Sequence, residues 1–328
     1  MAKYLITGFS GFVSEYFLSF LNEKKENDII LGIDVRRPDF SISDYENLSC
    51  RYEQINMLNQ NDLENLISQF KPYFVLHLAS SSSVAYSWEN PVESFKNNTN
   101  IFLNLLECIR LNNLSCRILS VGSSEEYGNF ELTDLPLKEV LSVKPQNPYS
   151  VARVSQELLS QIYANGYGLD ILMTRSFNHY GPGQKDIFVI SSFAKQLVEL
   201  SMQGKKYGEL ITGDTSIIRD FVDVRDVVEA YYLLFQKGKR GEIYNVCSGH
   251  GQTLTEIIKI MADKLNLKID IRQDPKLIRP IDNKIVIGSN KKIAEHIGWG
   301  NKISIDKSIS DILNYWQEKS TIRKEVCT

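Results

Sequence analysis

The sequence predicts a doubly wound α/β fold: a parallel sheet covered by helices on both faces, with a smaller C-terminal lobe. Three observations carry this expectation. Short apolar runs alternate with amphipathic helical stretches through the first half, a glycine turn follows directly on the first run, and the alternation breaks after residue 176. A chain of 328 residues suits one large unit with an embedded second lobe.

Apolar runs at 3–7, 29–34, 52–56, 74–78, 117–121 and 170–174 read as buried parallel strands. The stretches 11–23, 60–69, 92–112 and 149–164 place apolar residues at helical spacing, and crossovers of this kind are right-handed. Beyond residue 176 the segment 177–183 reads as a loop, punctuated by Gly181-Pro182-Gly183. Helices follow at 189–203, 224–237 and 253–265, the last opened by a Thr253-x-x-Glu256 capping box, with a short strand at 242–246. The expected division is 1–176 plus about 222–246 for the sheet domain, about 177–221 and 247–316 for the lobe, and a fraying polar tail at 317–328.

Composition narrows the function. With 43% apolar and 23% charged residues the chain is an ordinary globular protein, and its net charge of −3 offers no general attraction to nucleic acid or an anionic membrane. The N-terminus reads as a strand rather than a signal peptide, and no apolar run approaches the ~20 residues that span a bilayer. Cys50, Cys108, Cys116, Cys247 and Cys327 are scattered and odd in number, as expected of reduced thiols in a cytoplasmic protein. His77, His179, His250 and His296 do not cluster, so no metal is expected.

Thr7-Gly8-Phe9-Ser10-Gly11-Phe12 joins the first strand to the first helix. Glycines there let backbone amides approach a pyrophosphate at the positive end of a helix, the device of the Rossmann-type dinucleotide site. Ser14 stands where a third glycine is usual. Asp34 ends the second strand, and a carboxylate there accepts from both adenosine ribose hydroxyls and repels a 2′-phosphate. That favours NAD(H), while Arg36 and Arg37 keep NADP(H) open.

The chemistry centres on Ser123, at the end of the fifth strand, and on Tyr149 and Arg153, one helical turn apart. Carbonyl reduction needs a proton donor at the oxygen as hydride arrives. A free tyrosine, with a pKa of about 10, exchanges protons poorly at neutral pH, and a fixed cation beside it favours the phenolate. Lysine normally supplies that cation. Arg153 keeps the charge but is planar, bulkier and permanently protonated, and it is expected to replace lysine in function. The competing reading makes Arg153 a helix-surface ion pair beside a silent site.

These motifs, with His77-Leu78-Ala79, Tyr127-Gly128, Asn147-Pro148-Tyr149 and Arg219-Asp220-Phe221, resemble the extended short-chain dehydrogenase/reductases that act on nucleotide sugars, over about residues 3–316. The stretches 122–128, 175–184 and 244–249 and Arg279-Pro280 are most similar to the GDP-4-keto-6-deoxy-mannose reductases and GDP-mannose 4,6-dehydratases. The resemblance implies a cofactor site of Gly8, Gly11, Phe12, Val13, Asp34, Arg36, Asn56, Met57, Leu78, Ala79, Tyr149 and Arg153. It implies that Ser81, Asn178, Lys195, Arg219, Arg279 and Asp282 bind a GDP-sugar: Arg219, Asn178 and Lys195 at the phosphates, Arg279 and Asp282 at the nucleoside. For Arg219 the bland alternative is an ion pair with Asp220 or Asp223.

Glu125 occupies the place of the base that removes the C5 proton in dehydratase relatives, whereas Gly183-Gln184-Lys185 is reductase-like. Reduction of the C4 ketone of a GDP-6-deoxy-4-keto-hexose is therefore the expected reaction. The alternatives are a GDP-mannose or GDP-heptose 4,6-dehydratase, a C4 dehydrogenase with tightly held NAD(H), and a non-catalytic cofactor-binding regulator. Helices 92–112 and 149–164 are apolar on more than one face, so a homodimer through a four-helix bundle is expected.

Overall fold

Strand and helix alternate as expected up to residue 176. The computed structural model describes residues 1–278 and 281–326, with side chains described through Thr321. Its strands are β1 (Lys3–Thr7), β2 (Ile29–Asp34), β3 (Ser49–Gln54), β4 (Phe74–His77), β5 (Arg117–Ser123), β6 (Asp170–Ser176), β7 (Asn178–Tyr180), β8 (Tyr207–Thr212), β9 (Ile218–Asp223), β10 (Ile243–Val246), β11 (Gly251–Thr253), β12 (Lys268–Gln273) and β13 (Ile285–Val286). The helices are α1 (Phe12–Lys24), α2 (Gln60–Phe70), α3 (Val84–Glu89), α4 (Pro91–Phe95), α5 (Ile101–Leu111), α6 (Pro148–Gly166), α7 (Val189–Met202), α8 (Val224–Lys237), α9 (Leu254–Lys264), α10 (Lys291–Ile297) and α11 (Ile305–Val326).

Seven strands form one parallel sheet in the order β10-β6-β5-β4-β1-β2-β3. Side chains alternate across each strand, so Tyr4 and Ile6 enter the core under α1 and α8, and Leu5 enters the core under α2, α5 and α6. The order reverses between β1 and β4, and the strand carboxyl ends there open the crevice in which doubly wound folds bind ligands. The lobe has its own core, where α7, α9 and α11 pack around Leu210 and Phe221. Its central strand β9 pairs with β7, β11 and β13. Ile293, Ile297 and Trp299 return to the main sheet and pack with α8.

Several boundaries differ from expectation. The strand expected at 52–56 is Ser49–Gln54, because its register against β2 runs from Ile29↔Ser49 to Asp34↔Gln54. The helix expected at 92–112 contains a π-helical segment, Lys96–Asn100, between α4 and α5. The loop expected at 177–183 includes β7, held by β9. Residues 317–326 continue α11 rather than forming a separate tail. Among the described residues no helix is long and apolar enough to cross a membrane, and no cluster of His, Cys, Asp and Glu suits a metal.

Candidate active site

The glycine turn is built by close approach. Gly8 has φ +70°, and a Cβ there would lie 2.7 Å from the Ala79 nitrogen; one at Gly11 would lie 2.9 Å from the Gly8 carbonyl oxygen. Gly11 is the N-cap of α1 and contributes no side-chain cap, which leaves the amides at Phe12 and Val13 facing the crevice end of the helix. This cradle fits a pyrophosphate, since any side chain would fill it. Thr7 ties the neighbouring strand end by accepting from the Ala79 amide at 3.1 Å and bonding His77 Nδ1 at 2.9 Å. Burial, reinforced by the Arg153 charge, pushes His77 down to about 3, so its ring is a neutral packing group against Phe102.

Asp34 grips the turn itself. Its Oδ2 accepts from the Ser10 amide at 3.0 Å and the Ser10 hydroxyl at 2.7 Å, and its Oδ1 accepts from the Arg36 amide at 3.1 Å. Met57 is buried, its carbonyl accepting from Asn104, and Asn56 caps the turn after β3 through the Leu58 amide. Ser81, half-buried, follows β4 and accepts through its carbonyl from Asn98.

Asn147 caps α6 by accepting from the Ser150 amide at 2.8 Å, and Pro148 opens its first turn. This start sets Tyr149 and Arg153 against the end of β5, each 5% exposed. Arg153 Nε donates to the Tyr149 hydroxyl at 3.2 Å, and Nη1 donates to the Val121 carbonyl at 3.1 Å and to Gln156 Oε1 at 2.6 Å. Arg153 is thus no surface ion pair: its partners are neutral and buried.

Ser123 ends β5 and accepts through Oγ from the Glu125 amide at 3.2 Å, while its own amide donates to Glu126 Oε1 at 2.6 Å. Burial, with Glu157 adding repulsion, raises Glu126 well above the usual carboxylate range. Arg175 joins Glu157 through two 2.8 Å hydrogen bonds and stacks over Tyr127. Glu125 instead faces outward, accepting from Asn147 Nδ2 at 3.0 Å.

A cleft opens beside these groups and brings Glu125, Asn178, Arg219 and Asp282 together. Arg219 pairs with Asp282 at 2.5 Å, not with Asp220 or Asp223. Asp220 turns inward and accepts from Ser248, Gly249 and Gly288. Lys195 lies outside the cleft lining, paired with Asp186 at 2.7 Å and resting over Trp316. Arg279 lies outside the described residues. Sequence reasoning missed Gln156 and Ser120, although 149, 153, 156 and 160 share one helical stripe.

A family model described as GDP-mannose 4,6 dehydratase matches residues 5–312. The chain belongs to the GDP-mannose 4,6-dehydratase family. Within reach of it, the GDP-6-deoxy-D-mannose reductase of Pseudomonas aeruginosa is 32% identical over 98% of this chain and 99% of its own length. A GDP-mannose 4,6-dehydratase of Yersinia enterocolitica is 23% identical over 95% and 93%. The solved structure of RMD from Pseudomonas aeruginosa complexed with NADPH has a TM-score of 0.84 at 31% identity, covering 97% of this chain and 100% of that one. The doubly wound fold and the extended short-chain dehydrogenase/reductase resemblance are thereby shown for this family member.

Proposed function

We propose that the protein reduces the C4 ketone of a GDP-6-deoxy-4-keto-hexose with NADH or NADPH. The observation that carries this reading is the contact of Arg153 Nε with the Tyr149 hydroxyl beside the Ser123 turn. The 32% identical reductase, aligned over both full lengths, supplies the substrate class. Gly8, Gly11, Phe12 and Val13 would hold the pyrophosphate of the dinucleotide, whose reduced nicotinamide would supply the hydride, and Asp34 would favour NADH over NADPH. Ser123 donates to the substrate carbonyl oxygen. Tyr149 gives that oxygen its proton as negative charge develops there, and the Arg153 cation stabilises the phenolate left behind. Arg219 and Asn178 take the sugar nucleotide's phosphates, Asp282 its ribose.

A second reading rests on Glu125, whose carboxylate lines the cleft and is fixed by Asn147 at the cap of the Tyr149 helix. In that reading it removes the C5 proton and the reaction is a dehydration. A paired incubation separates the two. Reductase activity consumes NADH or NADPH and adds two hydrogens to GDP-4-keto-6-deoxy-mannose by mass spectrometry. Dehydratase activity removes water from GDP-mannose with no net change in cofactor. Silence in both tubes overturns the reading in favour of another sugar or a cofactor-bound regulator.

The active unit is a homodimer. Val151, Leu158 and Ile162 are exposed on one stripe of α6, opposite Tyr149, and Val92 and Phe95 are exposed on the neighbouring helix. Two copies of that pair bury each other as a four-helix bundle. A monomer by light scattering at micromolar concentration contradicts this. The unpaired Cys50, Cys108, Cys116 and Cys247 fit the reducing cytoplasm.

A further inference from the structure

We propose that Gln156 is the positioning residue that makes an arginine usable beside Tyr149, which deepens the reading of Tyr149 as the proton donor. A guanidinium is a planar fork of five donors, so its use at one hydroxyl depends on what holds the rest of the plane. Here Gln156 Oε1, 2.6 Å from Nη1, and the Val121 carbonyl fix that edge and leave Nε aimed at Tyr149.

The amide orientation of Gln156 follows from its neighbours. Arginine only donates, so Oε1 faces Arg153. Nε2 then donates to Ser120 Oγ at 2.8 Å and to the Val121 carbonyl at 3.1 Å. Ser160 Oγ is the donor beside it, 2.9 Å from the Gln156 backbone carbonyl oxygen and 3.1 Å from Ser120 Oγ. Gln156, Ser120 and Ser160 are all essentially buried, so none of these polar groups competes with water. The network is also neutral: it orients the cation without cancelling its charge, which a glutamate at 156 would do. A lysine ammonium is a point charge with rotatable donors and needs no in-plane acceptor. The arginine at 153 and the glutamine three residues on therefore form one unit.

A double-mutant cycle of Gln156→Met with Arg153→Lys tests this on the full-length protein. The readouts are kcat and KM for the keto-sugar and, independently of turnover, NADH affinity by cofactor fluorescence. Gln156→Met is expected to lower kcat about tenfold with KM within about twofold, and to weaken NADH about threefold. In the Arg153→Lys background the same change is expected to cost less than about twofold in each. Should Gln156→Met not fold, Ser120→Ala frees the Gln156 amide and is expected to lower kcat and NADH affinity about threefold, again only with Arg153 present. Wild-type values in Gln156→Met, or an equal loss in both backgrounds, overturn the proposal. If the wild-type protein does not reduce the keto-sugar, the proposed reaction fails, and the affinity cycle still decides the role of Gln156.

Discussion

The floor and the wall of the site treat their arginines in opposite ways. On the floor, Arg153 directs its hydrogen bonds to a phenol, a carbonyl and an amide, and among the described residues no carboxylate pairs with it. On the wall, Arg219 meets the Asp282 carboxylate at 2.5 Å. A buried cation surrounded by neutral acceptors keeps its field for the group it touches, whereas a paired one is nearly cancelled until a ligand reorganises the pair. The floor is arranged to act on charge that develops during reaction, and the wall to exchange one anionic partner for another on binding.

Changes on the floor are expected to act on turnover. Tyr149→Phe should lower kcat by about 10²–10⁴-fold with the fold retained, as loss of a proton donor requires. Changes on the wall are expected to act on binding. Arg219→Ala should raise KM for the GDP-sugar by about 10–100-fold while kcat stays within a few-fold, the loss of a charged hydrogen bond. A fall in kcat matching the rise in KM would erase the distinction between the two regions. At the crevice edge, Asp34→Ser should shift the NADPH-to-NADH ratio of kcat/KM by about tenfold toward NADPH, the scale of one charged contact.

The smallest effect sharpens the floor's dryness. His77 is fully buried and its pKa is depressed from 6.5 to about 3, so the unfolded chain binds its proton first as pH falls. Stability is present above the unfolded value and is lost on acidification toward the folded one. The contribution lost between about pH 6.5 and about pH 5.5 is about 1 kcal/mol. Urea unfolding at both values should show wild type losing that much more than His77→Asn; equal losses would mean that the ring takes up a proton in the folded state.

Local chemistry was the legible part of this fold. Thr253-x-x-Glu256 announced the start of α9, and Gly8 the turn that needs φ +70°. Helix α8 falls on the expected residues because its apolar spacing is regular and Asp223 caps it. Strands β8 and β12 were not legible: among the described residues they pair only with each other, and they leave Tyr207, Ile211 and Ile271 exposed, so no clean alternation marks them. Partners distant in sequence were hidden for a different reason. Nothing local joins Arg219 to Asp282, or Lys195 to Asp186 and Trp316; the lobe's folding does. Gln156 was legible in principle, three residues beyond the unexpected arginine on the same stripe, and is understood once the Val121 carbonyl is seen between them.

The measurement that tests the floor most directly is the single-turnover rate of hydride transfer, by stopped-flow loss of reduced-nicotinamide absorbance, in wild type and Arg153→Ala with GDP-4-keto-6-deoxy-mannose. The uncancelled Arg153 charge predicts a wild-type reaction whose product is two hydrogens heavier, and a variant slower by about 100-fold. An equal rate in the variant would contradict it.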